Sequence, residues 1–335
     1  MKGTHMKTIR WGIIGCGDVT EKKSGPGFAK ANNSALVAVM RRNADLAEDY
    51  ARRHNVPRWH SDADAIIEAD DIDAVYIATR PDAHQDYVLR CAAAGKAIYV
   101  EKPMAMTYAQ CVEMVVACRT HGVPLFVAYY RRALPYLLKV KELLDDGLIG
   151  QVCAVSTKYF DRRLMPADMV DGALPWRVDP IFCGGGIFFD TNCHNLDLLD
   201  FLFGPVTEVR GFPANRAGDY VPADTVTASY SFESGVQGTG VWCFATDRIS
   251  EVTEIIGTEG SITFHPFTFE PIRLTRAGNV TEFPIVNPPH VQQPLIQTIV
   301  NELNGLGTCP SHGESAARTA WVIERILAGD RAEPL

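Results

Sequence analysis

One lysine in this sequence stands where it could act on a bound molecule. Lys102 follows Glu101 and precedes a proline, directly after the short apolar run 97–100. The proline favours an extended backbone at Lys102, and ligands of open parallel sheets bind at the carboxyl ends of the strands. An amine and an acid at such a strand end are candidates for ligand binding. The alternative is an ordinary surface lysine in a turn, because charged side chains are mostly exposed.

A second group of polar side chains lies in a segment that is otherwise apolar. The pattern predicts a helix over residues 187–203, in which Asp190, His194 and Asp197 form one stripe at i, i+4 and i+7. Burying carboxylates and an imidazole is costly unless they are paired or functional. Asp190 could orient the ring of His194 and support its protonated form, as a general acid or base requires. The alternative is a pair on an exposed helix surface.

A glycine-rich turn near the amino terminus could bind a phosphate group. Gly12, Gly15 and Gly17, followed by Asp18 and Val19, lie where a predicted strand gives way to a predicted helix. Glycines there permit a tight turn and close approach of the backbone to a pyrophosphate, and this context is the one a dinucleotide-binding fingerprint requires. The alternative is a turn that is tight for structural reasons only.

The end of the second predicted strand bears on the choice of dinucleotide. A carboxylate there binds the adenosine ribose of NAD, whereas an arginine accommodates the 2′-phosphate of NADP. The sequence has Arg41 and Arg42 at this position and no carboxylate before Asp45. A guanidinium matches a phosphate geometrically. NADP is therefore the preferred cofactor and NAD remains possible, the alternative being two solvated arginines at a helix start.

The elements that must position these groups alternate in the first half of the chain. Apolar runs predict parallel strands, and amphipathic segments between them predict helices, which together indicate a doubly wound α/β domain of the Rossmann type over residues 7–128. The predicted strands are 8–14, 36–40, 74–78, 97–100 and 124–127, and the predicted helices are 43–54, 83–94 and 108–120.

The second half predicts an α+β domain over residues 129–335 with a large, mostly antiparallel open sheet. Several of its strands alternate polar and apolar residues, which indicates one solvated or ligand-facing side. A hairpin is predicted at residues 257–260. The predicted strands are 151–159, 206–212, 225–232, 236–244, 251–257 and 261–264, and the predicted helices are 134–146, 187–203, 291–306 and 314–327.

The composition narrows the class of protein. A chain of 335 residues with a net charge of −8 does not favour nucleic acid or an anionic membrane as a partner. Nine cysteines without a Cys-x-x-Cys pair argue against a disulfide framework and favour the cytoplasm. No run is long enough to span a membrane, and no metal-ligand cluster is visible. Residues 1–6 are interpreted as a remnant of expression, with the native start near Met6.

Together these motifs resemble the Gfo/Idh/MocA family of nicotinamide-dependent oxidoreductases over essentially the whole chain. The resemblance rests on the glycine turn, Glu101-Lys102-Pro103, the helical stripe and four further segments: 78–84 (ATRPDAH), 130–132 (YRR), 176–177 (WR) and 184–186 (GGG). Two departures stand out. Thr20 replaces the third fingerprint glycine before an insert at 24–27, which predicts a delayed or distorted helix, and Arg80 replaces a small residue or proline.

The resemblance implies roles for individual residues. Lys102, Asp190 and His194 would be the catalytic set, with His194 exchanging the substrate proton and Lys102 hydrogen-bonding the same oxygen. Cofactor contacts are expected from Gly12, Gly15, Gly17, Asp18, Val19, Arg41, Arg42, Thr79, Arg80, His84, Glu101 and Lys102. Weaker candidates for holding substrate or the cofactor amide are Tyr130, Arg131, Tyr159, Arg162, Arg163, Trp176 and Arg177, and their alternative is core aromatics and surface arginines.

The resemblance also implies the reaction and the assembly. We expect hydride transfer between NADP(H) or NAD(H) and a secondary alcohol or ketone of a sugar, polyol or sugar derivative, in a homodimer or homotetramer formed through the second domain's sheet. A dihydrodiol or another non-sugar carbonyl is an alternative substrate. A non-catalytic dinucleotide sensor is an alternative of another class. A zinc-dependent alcohol dehydrogenase is disfavoured, because His194 has no partner ligands at zinc spacing.

Overall fold

The computed structural model describes residues 6–165, 168–169 and 173–329. Of the segment interpreted above as a remnant, residues 1–5 lie outside this description. The chain forms two compact units. The first comprises residues 6–134 together with Pro288–Ala317, and the second comprises Pro135–Asn287 together with residues 318–329. None of the described helices is both long enough and apolar enough to cross a membrane.

The first unit contains a six-stranded parallel sheet in the order β3-β2-β1-β4-β5-β6. Every residue of the two central strands β4 and β5 is buried, as expected for a sheet covered on both faces. This order is that of a Rossmann fold, which confirms the predicted fold class. The strands are β1 (Ile9–Ile14), β2 (Ser34–Met40), β3 (Arg58–His60), β4 (Ala74–Ile77), β5 (Ala97–Val100) and β6 (Leu125–Val127).

The helix after the glycine turn is broken into two short pieces, as the insert at residues 24–27 predicted. Of the remaining helices, α3, α5 and α6 follow the predicted positions closely, whereas the short α4 was not predicted. α6, for instance, begins where Thr107 caps the backbone N–H of Gln110. The helices are α1 (Asp18–Lys22), α2 (Gly25–Lys30), α3 (Ala44–His54), α4 (Asp64–Ile67), α5 (His84–Ala93) and α6 (Tyr108–Thr120).

The second unit contains an eight-stranded sheet in the order β14-β13-β12-β11-β7-β10-β9-β8. Among the strand pairs that the structure describes in this sheet, only β7–β10 is parallel, which confirms a mostly antiparallel sheet. The hairpin predicted at residues 257–260 joins β11 to β12. The strands are β7 (Val152–Arg162), β8 (Val206–Ala214), β9 (Thr225–Phe232), β10 (Gln237–Thr246), β11 (Ser250–Gly257), β12 (Gly260–Phe264), β13 (Ile272–Arg276) and β14 (Asn279–Phe283).

The sheet of the second unit has one buried and one more exposed face. In β9, buried Val226, Ala228, Tyr230 and Phe232 alternate with threonines and serines that are at least partly exposed, which is the pattern of a strand with one face in the core. The remaining helices, in chain order, are α7 (Pro135–Asp145), α8 (Pro180–Cys183), α9 (Gly186–Phe203), α10 (Gln293–Leu303) and α11 (Gly313–Ala328).

The division of the chain differs from the expected boundary between residues 128 and 129. The first unit extends to Leu134, and Pro288–Ala317 returns to it after the second unit. The physical reason is that α10 packs against α2 in the first unit. Leu295, Ile296, Ile299 and Val300 of α10 are buried, and a Cβ at Gly27 in α2 would meet Ile296 Cδ1 at 2.9 Å.

Candidate functional site

The three glycines of the fingerprint meet different surroundings: Gly12 lies within β1, and Gly15 and Gly17 lie in the turn that follows it. A Cβ at Gly12 would meet Ile66 Cγ2 at 2.5 Å and Ile72 Cδ1 at 3.0 Å, so a glycine here permits close packing of Ile66 and Ile72 against β1. Gly15 has a φ of +93°, which favours glycine. A Cβ at Gly17 would meet only the Gly15 carbonyl oxygen, at 3.9 Å. Gly15 and Gly17 therefore fit a turn that a pyrophosphate approaches, whereas Gly12 has a packing reason of its own.

Thr20 closes this turn in place of the third fingerprint glycine. The Gly17 N–H donates to Thr20 Oγ1 (3.0 Å), and the same hydroxyl donates to the Gly17 carbonyl (2.7 Å). The Tyr50 hydroxyl donates to the Thr20 carbonyl (3.0 Å), and a Cβ at Gly25 would collide with both of these oxygens. The departure from the fingerprint thus has a local cause: a buried threonine and Gly25 form the junction between α1 and α2.

Of the two arginines that follow β2, one contacts the glycine turn and the other is exposed. The Arg41 guanidinium donates to the Cys16 carbonyl (3.4 Å), while Arg42 is exposed. Asn43 caps α3 by accepting from the Leu46 N–H (3.1 Å). Burial raises the pKa of the Cys16 thiol to about 11, so this cysteine stays protonated at neutral pH. Arg41 is therefore the one of the two arginines that the structure brings to the turn.

His84 links the loops that follow β4 and β5. It is fully buried; its Nε2 lies 3.0 Å from the Thr79 carbonyl, and its Nδ1 lies 3.0 Å from the Pro103 carbonyl and 3.2 Å from that of Met104. Burial lowers the pKa of His84, although the carbonyls oppose this effect. His84 was expected to contact the cofactor, but both its nitrogens face backbone oxygens, so its position is that of a clamp between two loops.

The loop residues around His84 lie at the carboxyl ends of their strands, as expected. Thr79 Oγ1 donates to the Arg80 carbonyl (3.3 Å), and the Arg80 guanidinium is 3.5 Å from Asp82 in a half-exposed ion pair. Lys102 is partly exposed, and the Lys102–Pro103 peptide is cis. The sheet edge therefore presents both Thr79 and Lys102, two of the residues expected to contact the cofactor.

Below Lys102 lies a buried hydrogen-bond network that sequence reasoning did not find. Glu101 Oε1 accepts from the Tyr76 hydroxyl (2.6 Å) and from Gln292 Nε2 (2.6 Å), and the Tyr99 hydroxyl donates to Gln292 Oε1 (2.7 Å). Tyr76 and Tyr99 are paired across β4 and β5, and their rings stack at 4.8 Å. The signal available in the sequence was one tyrosine in each of two apolar strands; nothing marked Gln292.

In the second unit, the apolar helix α9 carries the polar stripe into a buried environment. Asp190 and His194 are 5% and 6% exposed, respectively, and Asp197 is 1% exposed, so the exposed-pair alternative is wrong. The helix ends at Phe203, where Gly204 has a φ of +84°. Burial of this kind requires partners.

Partners for the acidic residues of α9 come from neighbouring segments. Arg177 Nε donates to Asp190 Oδ2 (2.8 Å), and its guanidinium lies 4.8 Å from the ring centre of Trp176. In α11, Thr319 Oγ1 donates to Asp197 (3.4 Å). These contacts bring Trp176 and Arg177, two of the weaker candidates for holding substrate, next to Asp190.

Asp200, one turn beyond the stripe, belongs to the same set of anchored carboxylates. Arg318 donates two parallel hydrogen bonds to it, both of 2.8 Å. Such bidentate pairs are among the stronger ones. The polar residues of α9 are therefore fixed at both ends of the helix.

The weaker candidates divide into buried and exposed groups. In the first unit, Arg131 Nη1 donates to the Tyr130 hydroxyl (3.0 Å) and both residues are buried. In the second unit, the ring centres of Tyr159 and Phe267 lie 4.9 Å apart.

The exposed candidates are two arginines. Arg162 and Arg163 form exposed ion pairs with Asp168 and Asp219, respectively, which matches the surface-arginine alternative. Among the residues that the structure describes, no cluster of His, Cys, Asp or Glu could hold a metal ion.

Comparison with known proteins identifies the family. The profile described as "Oxidoreductase family, NAD-binding Rossmann fold" matches residues 9–129, and the GFO/IDH/MocA C-terminal domain matches residues 137–263. The chain belongs to the Gfo/Idh/MocA family and is an NAD(P)-dependent oxidoreductase. This confirms the resemblance drawn from the motifs.

Individual relatives cover most of the chain. Oxidoreductase P35 of Formosa agariphila is 39% identical over 316 residues, 94% of this chain and 97% of that one. The trans-1,2-dihydrobenzene-1,2-diol dehydrogenase of Sus scrofa is 26% identical over 302 residues, 90% of this chain and 85% of that one. The solved structure of levoglucosan dehydrogenase with NADH and levoglucosan has a TM-score of 0.85 and 22% identity, covering 96% of both chains; at that identity it shows the fold alone.

Proposed function

We propose that this oxidoreductase transfers a hydride between NADP(H) and a secondary alcohol, or the corresponding ketone, of a sugar, polyol or sugar derivative. The observation that carries the proposal is the buried polar stripe of α9. Asp190 and His194 lie almost fully buried on an apolar helix, and Asp190 is ion-paired with Arg177. A helix of this kind without a catalytic role would more simply be apolar throughout, because burying charged groups is costly.

The residues would divide the chemistry as follows. When bound, the oxidised nicotinamide accepts the hydride that leaves the carbinol carbon. His194 takes the hydroxyl proton as the C–H bond breaks and the C=O bond forms, and it returns that proton in the reverse direction. Lys102 donates a hydrogen bond to the same oxygen and stabilises its negative character. Asp190, itself held by Arg177, orients His194 and contacts the substrate.

NADP is the proposed cofactor because of the residues that follow β2. The Arg41 guanidinium lies 3.4 Å from the Cys16 carbonyl oxygen in the glycine turn, and the neighbouring Arg42 is exposed. Residues 41–43 contain no carboxylate. A carboxylate at this place would repel a 2′-phosphate, and a guanidinium would bind it. NAD remains the alternative.

The substrate class has a second candidate. The relative from Sus scrofa is named as a dihydrodiol dehydrogenase. A dihydrodiol, like a sugar, presents a secondary hydroxyl on a ring, so the same proton transfer at His194 serves either. A non-catalytic sensor is less well supported, because nucleotide binding alone would not need the stripe of α9.

We also propose that two copies associate through the more exposed face of the eight-stranded sheet. Phe212, Thr227 and Val241 are aligned across β8, β9 and β10 on this face, and Phe212 and Val241 are 58% and 36% exposed. Apolar side chains on a broad sheet face indicate a protein interface. Sedimentation of Val241→Glu beside the unaltered protein would test this: a smaller species is expected only for the variant.

The first test of the proposed function is a nucleotide titration followed by a substrate screen. Binding of NADPH and NADH is followed by quenching of tryptophan fluorescence, in the unaltered protein and in Arg41→Ala/Arg42→Ala. Tighter NADPH binding that the double variant loses supports the 2′-phosphate site. Tighter NADH binding refutes NADP and leaves the reaction intact. A sugar, polyol and dihydrodiol panel is then screened with the tighter nucleotide, and binding without turnover of any member favours the sensor.

A further inference from the structure

The backbone at Lys102 is tied to a carboxylate that is itself deeply buried. Glu101 is 6% exposed, and its Oε2 accepts a hydrogen bond from the Lys102 backbone N–H (3.1 Å). The other oxygen accepts from Tyr76 and from Gln292, each at 2.6 Å. A buried carboxylate is tolerated when donors satisfy it. Glu101 therefore connects Lys102 to two side chains of the protein core.

Gln292 can present only its amide nitrogen to Glu101. The Tyr99 hydroxyl donates to Gln292 Oε1 (2.7 Å), which places the carbonyl end of the amide at Tyr99 and the NH₂ end at Glu101. Burial and the nearby Glu101 charge raise the pKa of both Tyr76 and Tyr99 well above the usual value, so both stay protonated donors. Each hydrogen bond of the chain Tyr99–Gln292–Glu101 thus has a fixed direction.

The Gln292 backbone is also fixed. It directly precedes α10, its N–H donates to the Lys23 carbonyl (3.2 Å) just after α1, and the side chain is almost fully buried. Gln292 belongs to the segment Pro288–Ala317, which returns to the first unit from late in the sequence. A residue far from the strands therefore completes the coordination of Glu101.

We propose that Gln292 is a positioning residue for Lys102, acting through the Glu101 carboxylate. Its amide keeps the carboxylate from rotating, and the carboxylate in turn holds the Lys102 backbone N–H. Small displacements of a reacting group are expensive in catalysis, about 10²-fold for 1 Å. The inference deepens the proposed function and rests on it in so far as Lys102 acts on the substrate.

A direct readout of Lys102 that needs no substrate tests the positioning. The folded protein is modified briefly with trinitrobenzene sulfonate across a range of pH, and the rate at each lysine is measured by peptide mass spectrometry. In Gln292→Leu we expect the modification rate of Lys102 to change by about threefold or more, towards the rates of the exposed Lys22 and Lys30. The modification rates of Lys22 and Lys30 themselves should stay constant. The matched control is Tyr99→Phe, which removes the hydroxyl at the far end of Gln292 and leaves its amide opposite Glu101; its effect should be smaller.

An exchange of the two side chains separates positioning from general disruption. Gln292→Glu alone sets two carboxylates against each other, which is unfavourable for both. Adding Glu101→Gln restores one amide and one carboxylate in exchanged places, and we expect the Lys102 rate to move back towards that of the unaltered protein. Thermal unfolding of every variant shows that the folded protein is being measured.

The outcomes distinguish this inference from the proposed function. An unchanged Lys102 rate in folded Gln292→Leu, or a double variant no better than Gln292→Glu, overturns the positioning role, whatever the activity. A changed rate in a protein that turns over no sugar, polyol or diol supports the positioning and counts against the proposed reaction. If turnover is found, kcat should fall about tenfold in Gln292→Leu with the KM for NADPH unchanged.

Discussion

Glu21 in α1 accepts two parallel hydrogen bonds from the guanidinium of Arg53 in α3. Nη1 lies 2.9 Å from Oε2, and Nη2 lies 2.7 Å from Oε1. His54 Nε2 is a further 2.7 Å from Oε2. Because α1 carries the glycine turn at its beginning, this fork holds the turn against α3. The glycine turn, the proposed site of the dinucleotide, is thus stabilised by a charge pair between α1 and α3.

The pKa of Glu21 makes this contact sensitive to acid. The hydrogen bonds from Arg53, followed by the smaller effect of His54, lower the pKa of Glu21 from 4.5 to about 2. A carboxyl whose pKa is lower in the folded state stabilises the fold above pH 4.5, and this contribution disappears as the pH falls towards 2. Glu21→Gln should therefore cost about 1 kcal/mol at pH 7, since the pair is partly exposed, and progressively less below pH 4.5.

Urea unfolding at several pH values, compared between the unaltered protein and Glu21→Gln, measures this difference. Asp49→Asn is the matched control, because Asp49 also pairs with Arg53 but is more exposed; its cost should be smaller. A Glu21→Gln difference that stays constant from pH 7 to pH 3 would contradict the assignment.

A substitution in the glycine turn can test nucleotide binding without destabilising the fold. Gly17→Ala adds a Cβ that meets only one oxygen at 3.9 Å, so the melting temperature should stay near that of the unaltered protein. The same Cβ occupies the surface that a pyrophosphate would approach, and we expect the Kd for NADPH to rise about tenfold or more. Fluorescence titration and thermal unfolding measure the two effects.

Gly25→Ala is the control for Gly17→Ala, because it adds the same methyl group where the fold has no room for it. Gly25→Ala drives its Cβ into the Thr20 carbonyl and the Tyr50 hydroxyl, and should destabilise the protein by about 1–3 kcal/mol. An unchanged NADPH affinity in folded Gly17→Ala would mean that the dinucleotide does not pass over this turn.

The catalytic assignment predicts a loss of turnover without a loss of nucleotide binding. His194→Ala and Lys102→Ala should each lower kcat by about 10²–10⁴-fold, the range for positioned proton transfer, with the NADPH affinity largely unchanged. Initial rates with a substrate found in the screen measure this. His121→Ala and Lys30→Ala remove exposed side chains of the same types and serve as controls. Near-normal turnover in either catalytic variant would refute that residue's role.

The sequence predicted the long elements of the fold because their apolar patterns are strong. β5, β9 and α6 begin and end at the predicted residues, and the alternation of strands and helices sufficed for the Rossmann type. Short elements were missed. β3 spans three residues and α4 four, which is too few for a periodic pattern to develop. β13 and β14 form a hairpin with many exposed positions, where propensity alone carries little information.

The site was predictable where the chemistry lies in a local motif and not where it depends on distant pairs. The burial of the α9 stripe followed from the apolar residues around it. The pairing of Gln292 with Glu101 joins residues far apart in the chain, and no local sequence pattern predicts such a contact. His84 shows a related limit, because a histidine beside a ligand loop and one that joins two such loops look alike in sequence.

The return of Pro288–Ala317 to the first unit has a consequence for how the protein is made. During synthesis the amino-terminal part of a chain leaves the ribosome first and folds first where it can. Here the six strands of the Rossmann sheet emerge early, but α10 and Gln292 follow only after the whole of Pro135–Asn287. Until then the nascent first unit exposes the apolar surface against which α10 packs, and Glu101 lacks one of its donors. The nucleotide-binding half is therefore the first to begin folding and among the last parts to be completed.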